Sequence, residues 1–150
     1  MTGVQTCALP ISVIARGPGV TDEQAKQTIE IFSCVGACIE AEDKVMDAVT
    51  SLNGSGPAFA YIMLEALSDG GVRMGLRRDV AMQIAAQMFQ GAARMVLQTG
   101  MHPAALKDQV TTPAGSTIAG LLMMEDGRIR SVIARAVEEA AKVAGKLGQS

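Results

Sequence analysis

Three features of the 150-residue sequence predict a mainly α fold, in which a short strand–helix–strand unit precedes a run of helices. Hydrophobic residues make up 49% of the chain and aromatics only 3%, with 10 Met, a mixture that suits helices packed closely through small or unbranched side chains. Apolar residues recur at helical spacing through most of the chain. Gly, Pro and hydroxyl residues fall between those runs, where caps and stops belong.

Residues 12–16 read as a first strand, broken by Gly17, Pro18 and Gly19. Thr21 followed by Gln24 has capping-box spacing, and Asp22 and Glu23 suit the first turn of the helix it opens. That helix should run to about Cys34. Gly36 ends it, and residues 37–40 read as a second strand. A helix is expected over 42–52, with Val45, Met46 and Val49 on one face and a tight break at 53–56. Pro57 is then placed in the first turn of the next helix, which runs to about Met74 and stops at Gly75. Inside it, the pair Gly70-Gly71 is explained either by a kink or by the close approach of another backbone.

The following helix, from Arg77 to about Gln98, carries an apolar stripe of Val80, Ile84, Met88, Ala92 and Met95. Ala81, Ala85, Phe89, Ala93 and Val96 make it apolar on other faces too, so it needs cover on more than one side, as from a second copy of the chain. His102-Pro103 opens a short helix ending near Gln109, with His102 read as a helix-start residue rather than an acid catalyst. A helix over 118–124 and a last one over 128–147 complete the chain, the latter with Glu138 and Lys142 paired at i,i+4. Residues 148–150 read as a fraying end.

Composition also narrows the function classes. A net charge of −2, with no basic patch interleaved with aromatics, argues against nucleic acid as a partner. No apolar run is long enough to span a membrane, and the N-terminus lacks the pattern of a signal peptide. The cysteines are Cys7, Cys34 and Cys38, with no CxxC pair, and His102 is the only histidine. Neither a zinc site nor a disulfide framework is expected, and reduced thiols suit a cytoplasmic protein.

The stretch with chemical content is LKDQVTTPAGST, residues 106–117. Pro113 fixes its own φ and disfavours helix at Thr112, and Gly115 is read as the residue that allows an unusual backbone conformation. Ser116 or Thr117 is expected to cap the helix that follows. Such a helix start presents unpaired N–H groups and partial positive charge, a setting for a small carboxylate. Thr111, Thr112, Ser116 and Thr117 add hydroxyls. On spacing alone, the ordinary reading is a well-capped helix connection.

Pro103, Leu106, Val110, Thr111, Thr112, Gly115, Thr117, Gly120, Leu121, Met124 and Glu125 together resemble the signature of pyrroline-5-carboxylate reductase. The segment GSGPAFAYIMLEALSDGGVRMGL, residues 54–76, is similar to that family's other characteristic stretch, and the resemblance covers 13–145. It implies an oxidoreductase that reduces 1-pyrroline-5-carboxylate to L-proline with NADPH or NADH, the last step of proline biosynthesis. Residues 42–150 would form its helical substrate and dimerisation domain, and 13–41 would be a C-terminal remnant of its Rossmann-type dinucleotide-binding domain. The native sequence would begin near Val13, with most of the cofactor domain missing and the fragment inactive alone. Val4–Ile11 looks like a translated sequencing adapter, so 1–12 is set aside as a non-native or disordered tail.

Carried onto this chain, the resemblance makes Thr117 the catalytic residue, lying between substrate and nicotinamide. Pro57, Gln109, Val110, Thr112, Gly115, Ser116 and Thr117 become substrate-binding positions, and Ser116 and Thr117 also meet the cofactor. Gln109 stands where relatives often have Asn, Ala114 where some have Gly, and Gly100 where some have an acidic residue. No side chain reads as a general acid, and a pyrroline imine can arrive already protonated. Gly17-Pro18-Gly19 and Gly54-Ser55-Gly56 begin like a dinucleotide fingerprint, but Asp22 and Phe59 stand at the sixth positions, and neither stretch is expected between a strand and a helix as required. The implied partner is a second copy, in a homodimer or a higher oligomer, besides the small-molecule substrate. Two other readings are a purely structural dimer module and the helical domain of a β-hydroxyacid-dehydrogenase-like enzyme. The latter relies on a Lys and Asn arrangement not found here.

Overall fold

The structure is a computed structural model that describes residues 11–148. Cys7, the expected tail over 1–10 and the last residues of the expected fraying end, 149–150, lie outside them. The architecture is mainly α. In order, the elements are β1 (Ile11–Ile14), α1 (Asp22–Ser33), β2 (Ala37–Glu40), a 3-10 turn (Asp43–Val45), α2 (Met46–Val49), a π-helical segment (Thr50–Ser55), α3 (Gly56–Arg73), α4 (Arg78–Thr99), α5 (Pro103–Gln109), α6 (Ser116–Asp126) and α7 (Ile129–Leu147). The chain forms two compact units that divide after Gly56 and after Arg135, residues 136 onward belonging with the first.

In the first unit β1 and β2 pair in parallel, Ile11 opposite Ala37 and Ile14 opposite Glu40, with α1 as the crossover. The pairing includes Ile11 and Ser12, which the sequence reading set aside with the tail. Ladder hydrogen bonds come from the backbone and form whatever the origin of the side chains. The capping box at α1 is present: Gln24 N–H donates to Thr21 Oγ1 at 3.2 Å, and Thr21 N–H donates to Gln24 Oε1 at 2.9 Å. The helix buries Ala25.

The expected helix over 42–52 and the break after it are both replaced. From Met46 to Arg73 the backbone stays helical, passing through the π-helical segment without a turn. Pro57 gives the physical reason. A proline inside a helix has no N–H to donate, and its ring crowds the carbonyl four residues earlier. The wider i→i+5 register just ahead relieves that crowding, and Gly56 N–H donates to Ser51 O across it. Pro57 does lie in the first turn of α3, but that helix follows directly on the π-helical segment instead of starting after a break. Ser51, 1% exposed, donates its hydroxyl to Val137 O at 2.6 Å, which anchors the π segment to the second half of α7.

In the second unit α3 ends where Gly75 was expected to stop it. Gly75 has φ +97, its N–H donates to Val72 O, and Leu76 N–H donates to Gly71 O, both at 3.0 Å. This is the Schellman pattern, and glycine supplies its left-handed residue. The close backbone approach foreseen for Gly70-Gly71 occurs at Gly71. A Cβ there would lie 3.1 Å from Ala81 Cβ and 3.3 Å from Leu76 Cδ1, whereas one at Gly70 meets nothing. Ala81 and Ala85 of α4 are the buried residues of that helix. Its predicted stripe, by contrast, is open: Val80, Ile84, Met88 and Met95 are exposed in the single chain.

Ser68, fully buried, accepts a hydrogen bond from Arg78 Nη1, and Arg78 also pairs with Asp69. Gly100, φ +64, closes α4 by donating to Val96 O. His102 caps α5, its Nδ1 accepting from Ala104 N–H at 3.2 Å, as its helix-start reading predicts. Arg128 has φ +55 and lies outside α7, which begins one residue later than expected. Glu138 and Lys142 pair at 2.7 Å, and hydrogen bonding to Glu138 raises the Lys142 pKa.

Candidate functional site

The site is built on the chain between α5 and α6. As α5 ends, Val110 N–H donates to Lys107 O at 3.2 Å and Thr111 N–H to Asp108 O at 3.1 Å. Thr111 Oγ1 donates to Lys107 O at 2.7 Å, so this hydroxyl is spent on the local fold. Lys107 thus positions the loop through its carbonyl, while its ammonium pairs with Asp108.

A four-residue turn over 112–115 follows. Gly115 N–H donates to Thr112 O at 3.0 Å, Pro113 occupies the second position, and Ala114 the third with φ +56. Proline followed by a residue of positive φ marks a type II turn. The unusual backbone conformation expected of Gly115 therefore belongs to Ala114. Gly115 itself has φ −74 and ψ 165, which any residue can adopt. Pro113 signals the second position of a turn, but it suits type I as well as type II, and an alanine at the third position gives no local sign of a positive φ.

A second correction concerns the helix start. α6 begins at Ser116, earlier than the expected 118, and Gly115 is its N-cap with no side-chain cap. Ser116, Thr117 and Ile118 are thus the first three helical residues. No carbonyl or side chain among the described residues accepts from their amides. The hydroxyls of Thr112, Ser116 and Thr117 make no hydrogen bond within the described chain, and all three residues are exposed. Three amide donors at the positive end of an eleven-residue helix, flanked by free hydroxyls, are groups of the kind a small anion can accept from.

Gln109, Val110, Thr112, Gly115, Ser116 and Thr117 therefore lie along one stretch, from the end of α5 through the turn to the start of α6. Val110 is 65% exposed and offers an apolar surface beside it. Gln109 Nε2 lies 3.8 Å from Met101 Sδ, a weak contact that leaves its carbonyl oxygen unused. Pro57 is half-buried near the start of α3, and no hydrogen bond that shapes the loop reaches it. Its share in a common pocket rests on the family resemblance.

Neither glycine pair makes a phosphate loop. Gly54 and Gly56 lie in helical backbone. Gly17-Pro18-Gly19 does stand between β1 and α1, contrary to the sequence reading, and forms a turn in which Val20 N–H donates to Gly17 O. Yet α1 is already capped by Thr21, and Asp22 and Glu23 in its first turn repel an anion. A groove of about 480 Å³ at the ends of β1 and β2 is lined by Arg16, Glu40, Ala41, Glu42 and Asp43. Hydrogen bonds donated to Glu40 and then to Asp22 hold the Arg16 guanidinium above its ordinary pKa range, which occupies the cation a phosphate would need. No group of three or more His, Cys, Asp or Glu among the described residues could hold a metal ion.

Residues 43–147 match the family model described as pyrroline-5-carboxylate reductase dimerisation. The chain is 49% identical over 139 residues to the pyrroline-5-carboxylate reductase of Schizosaccharomyces pombe, covering 93% of this chain and 49% of that protein. It is 47% identical over 139 residues to the Arabidopsis thaliana pyrroline-5-carboxylate reductase, with 93% and 50% covered. Among solved structures, the Coxiella burnetii pyrroline-5-carboxylate reductase superposes with a TM-score of 0.87 at 28% identity, covering 91% of this chain and 51% of that one. The Plasmodium falciparum pyrroline carboxylate reductase with NADP bound gives a TM-score of 0.79 at 31% identity, covering 88% and 53%. The chain spans about half the length of the relatives it matches.

Proposed function

Because the chain belongs to the pyrroline-5-carboxylate reductase family, we propose that it supplies the substrate-holding and dimer-forming part of an NAD(P)H-dependent reduction of 1-pyrroline-5-carboxylate to L-proline. The observation that carries this reading is the set of unpartnered amides at Ser116, Thr117 and Ile118, flanked by the free hydroxyls of Thr112, Ser116 and Thr117. Those amides hold the ring carboxylate. Val110 and Pro57 give apolar walls, and Gln109 donates or accepts a hydrogen bond at the ring. Thr117 Oγ is the hydroxyl that would meet both the ring and a bound nicotinamide cofactor and orient one against the other.

When bound, the nicotinamide cofactor supplies the hydride. The exposed first turn of α6, with the unspent hydroxyls of Ser116 and Thr117, fits the rim of such a group. No phosphate-binding loop is found among the described residues, so the rest of the cofactor is assigned to sequence beyond residues 13–41, the proposed remnant of a dinucleotide-binding domain. The imine arrives protonated, and positioning, not proton transfer by a side chain, is what these residues contribute.

The exposed apolar residues of α4 and α6, with the family's dimerisation description, support a homodimer through the helical part. No helix among the described residues is long and apolar enough to cross a membrane. Cys34 and Cys38 are free thiols, which supports a cytoplasmic setting.

Titration calorimetry of the chain with L-proline, and with the ring-oxygen analogue tetrahydrofuran-2-carboxylate, tests the site. Ser116→Pro is a sharp probe. Proline is favoured at the first helical position, and the extended Gly115 suits a following proline, so the fold is kept while one donor is lost. Weaker binding in Ser116→Pro and Thr117→Val is the expected result. A chain that assembles but binds neither ligand would leave the structural-module reading in its place.

A further inference from the structure

We infer that Gly115 is a positioning residue: its missing Cβ lets the Thr112 hydroxyl lie against the start of α6 and join the amides in receiving the substrate carboxylate. The inference rests on the reading given under Proposed function and adds a role for a residue that need not touch the ligand through a side chain.

Position 115 does not need glycine for its backbone conformation. At φ −74 and ψ 165 Gly115 is in ordinary extended backbone, so alanine would fit the conformation without strain. The obstacle is space. A Cβ built on Gly115 would lie 2.5 Å from Thr112 Oγ1, 3.1 Å from Thr112 O and 3.7 Å from Thr112 Cβ. The position an alanine methyl would take is therefore closed by the Thr112 hydroxyl. Gly115 is the N-cap of α6, so the hydroxyl lies against the residue that leads into Ser116 and Thr117. Two features hold the arrangement. The Gly115 N–H to Thr112 O bond closes the turn, and Ala114 takes the positive φ that lets the chain fold back.

The seated hydroxyl is also unspent. Thr111 gives its hydroxyl to Lys107 O, but Thr112 Oγ1 makes no hydrogen bond within the described chain and the residue is exposed. A hydroxyl held beside three free amides adds a fourth donor. A carboxylate has lone pairs enough to accept them all. An alanine at 115 forces Thr112 into another side-chain rotamer. The turn and helix survive, because a single rotation removes the worst contact, but the hydroxyl leaves its seat.

The test is a double-mutant cycle on the whole chain, read by calorimetric titration of L-proline and of its amide, L-prolinamide. Gly115→Ala and Thr112→Ala should each weaken L-proline binding by roughly tenfold, the loss expected for one hydrogen bond to a charged group. Each should also narrow the preference for L-proline over L-prolinamide, which a merely structural role would not do. Thr112→Ala removes the hydroxyl that closes the alanine position and leaves only the looser 3.1 Å contact with Thr112 O, so adding Gly115→Ala to it should cost clearly less than the same change in the parent. Additive losses would overturn the inference, because Gly115 would then act other than through the hydroxyl. Unchanged L-proline affinity in Gly115→Ala would overturn it as well. Failure of the parent chain to bind L-proline at all would sink the proposed function, and this inference with it.

Discussion

Replacing Gly71 by alanine tests how α3 and α4 meet. The new methyl would stand 3.1 Å from Ala81 Cβ and 3.3 Å from Leu76 Cδ1. Carbon atoms rest at about 3.5–4.0 Å, so the contact is too close by several tenths of an ångström. Leu76 can rotate away, but Ala81 Cβ is fixed to the helix backbone and can yield only if the helices separate. Overpacking of this kind costs about 1–3 kcal/mol. Against it stands the gain in helix propensity from glycine to alanine, about 0.8–1 kcal/mol. The net expectation is a loss of about 1 kcal/mol, or about 3 °C in melting temperature for a chain of this size. Gly70→Ala is the internal control. Its added methyl meets nothing, so it should gain about 0.5–1 kcal/mol from propensity alone. Circular-dichroism melts at matched concentration would compare them, since any self-association makes the midpoint concentration-dependent. A Gly71→Ala chain as stable as its parent, or equal losses at both positions, would refute the packing argument.

Ala114→Gly should stabilise the chain by about 0.5–1 kcal/mol, because it relieves a positive φ at a residue with a Cβ; dye-monitored melting would show a raised midpoint. Thr21→Ala removes one half of the capping box and should cost about 1 kcal/mol in urea unfolding. Lys142→Met tests the exposed pair with Glu138. The Lys142 pKa is raised above its usual 10.5, so the pair's contribution is fully present below that value and is lost as pH rises through the folded pKa. The stability gap between Lys142→Met and parent should stay flat from about pH 7 to about pH 9 and close only in stronger base. A gap that closes below about pH 9 would contradict the assignment.

Local signals were the legible part of this fold. The Thr21–Gln24 box, the stops at Gly75 and Gly100 and the cap at His102 depend on a few neighbouring residues, and each formed where the residues predict. The π segment was not legible, because its cause lies ahead of it in Pro57, while Asn53 to Gly56 reads locally as a break. In the candidate site, the cluster of hydroxyls and the free helix start followed from residue types. Which hydroxyl was spent, and why position 115 is glycine, depended on distances within a tight turn. Thr111 and Thr112 are neighbours of the same type, yet only Thr111 found a carbonyl. The stripe on α4 illustrates a different limit. Helical spacing shows which residues share a side, but not whether that side is covered within one copy of the chain.

The wider turn over Thr50–Ser55 also changes the helical phase within the first unit. A π turn spends one residue more than an α turn, so side chains beyond it are rotated by about 100° relative to an unbroken helix. Val45, Met46 and Val49 ahead of the segment and Ser55 at its end therefore cannot be drawn on one helical wheel. Deleting Gly54 should restore an even spiral there, with Gly56 N–H still bonded to Ser51 O but one residue nearer to it along the chain.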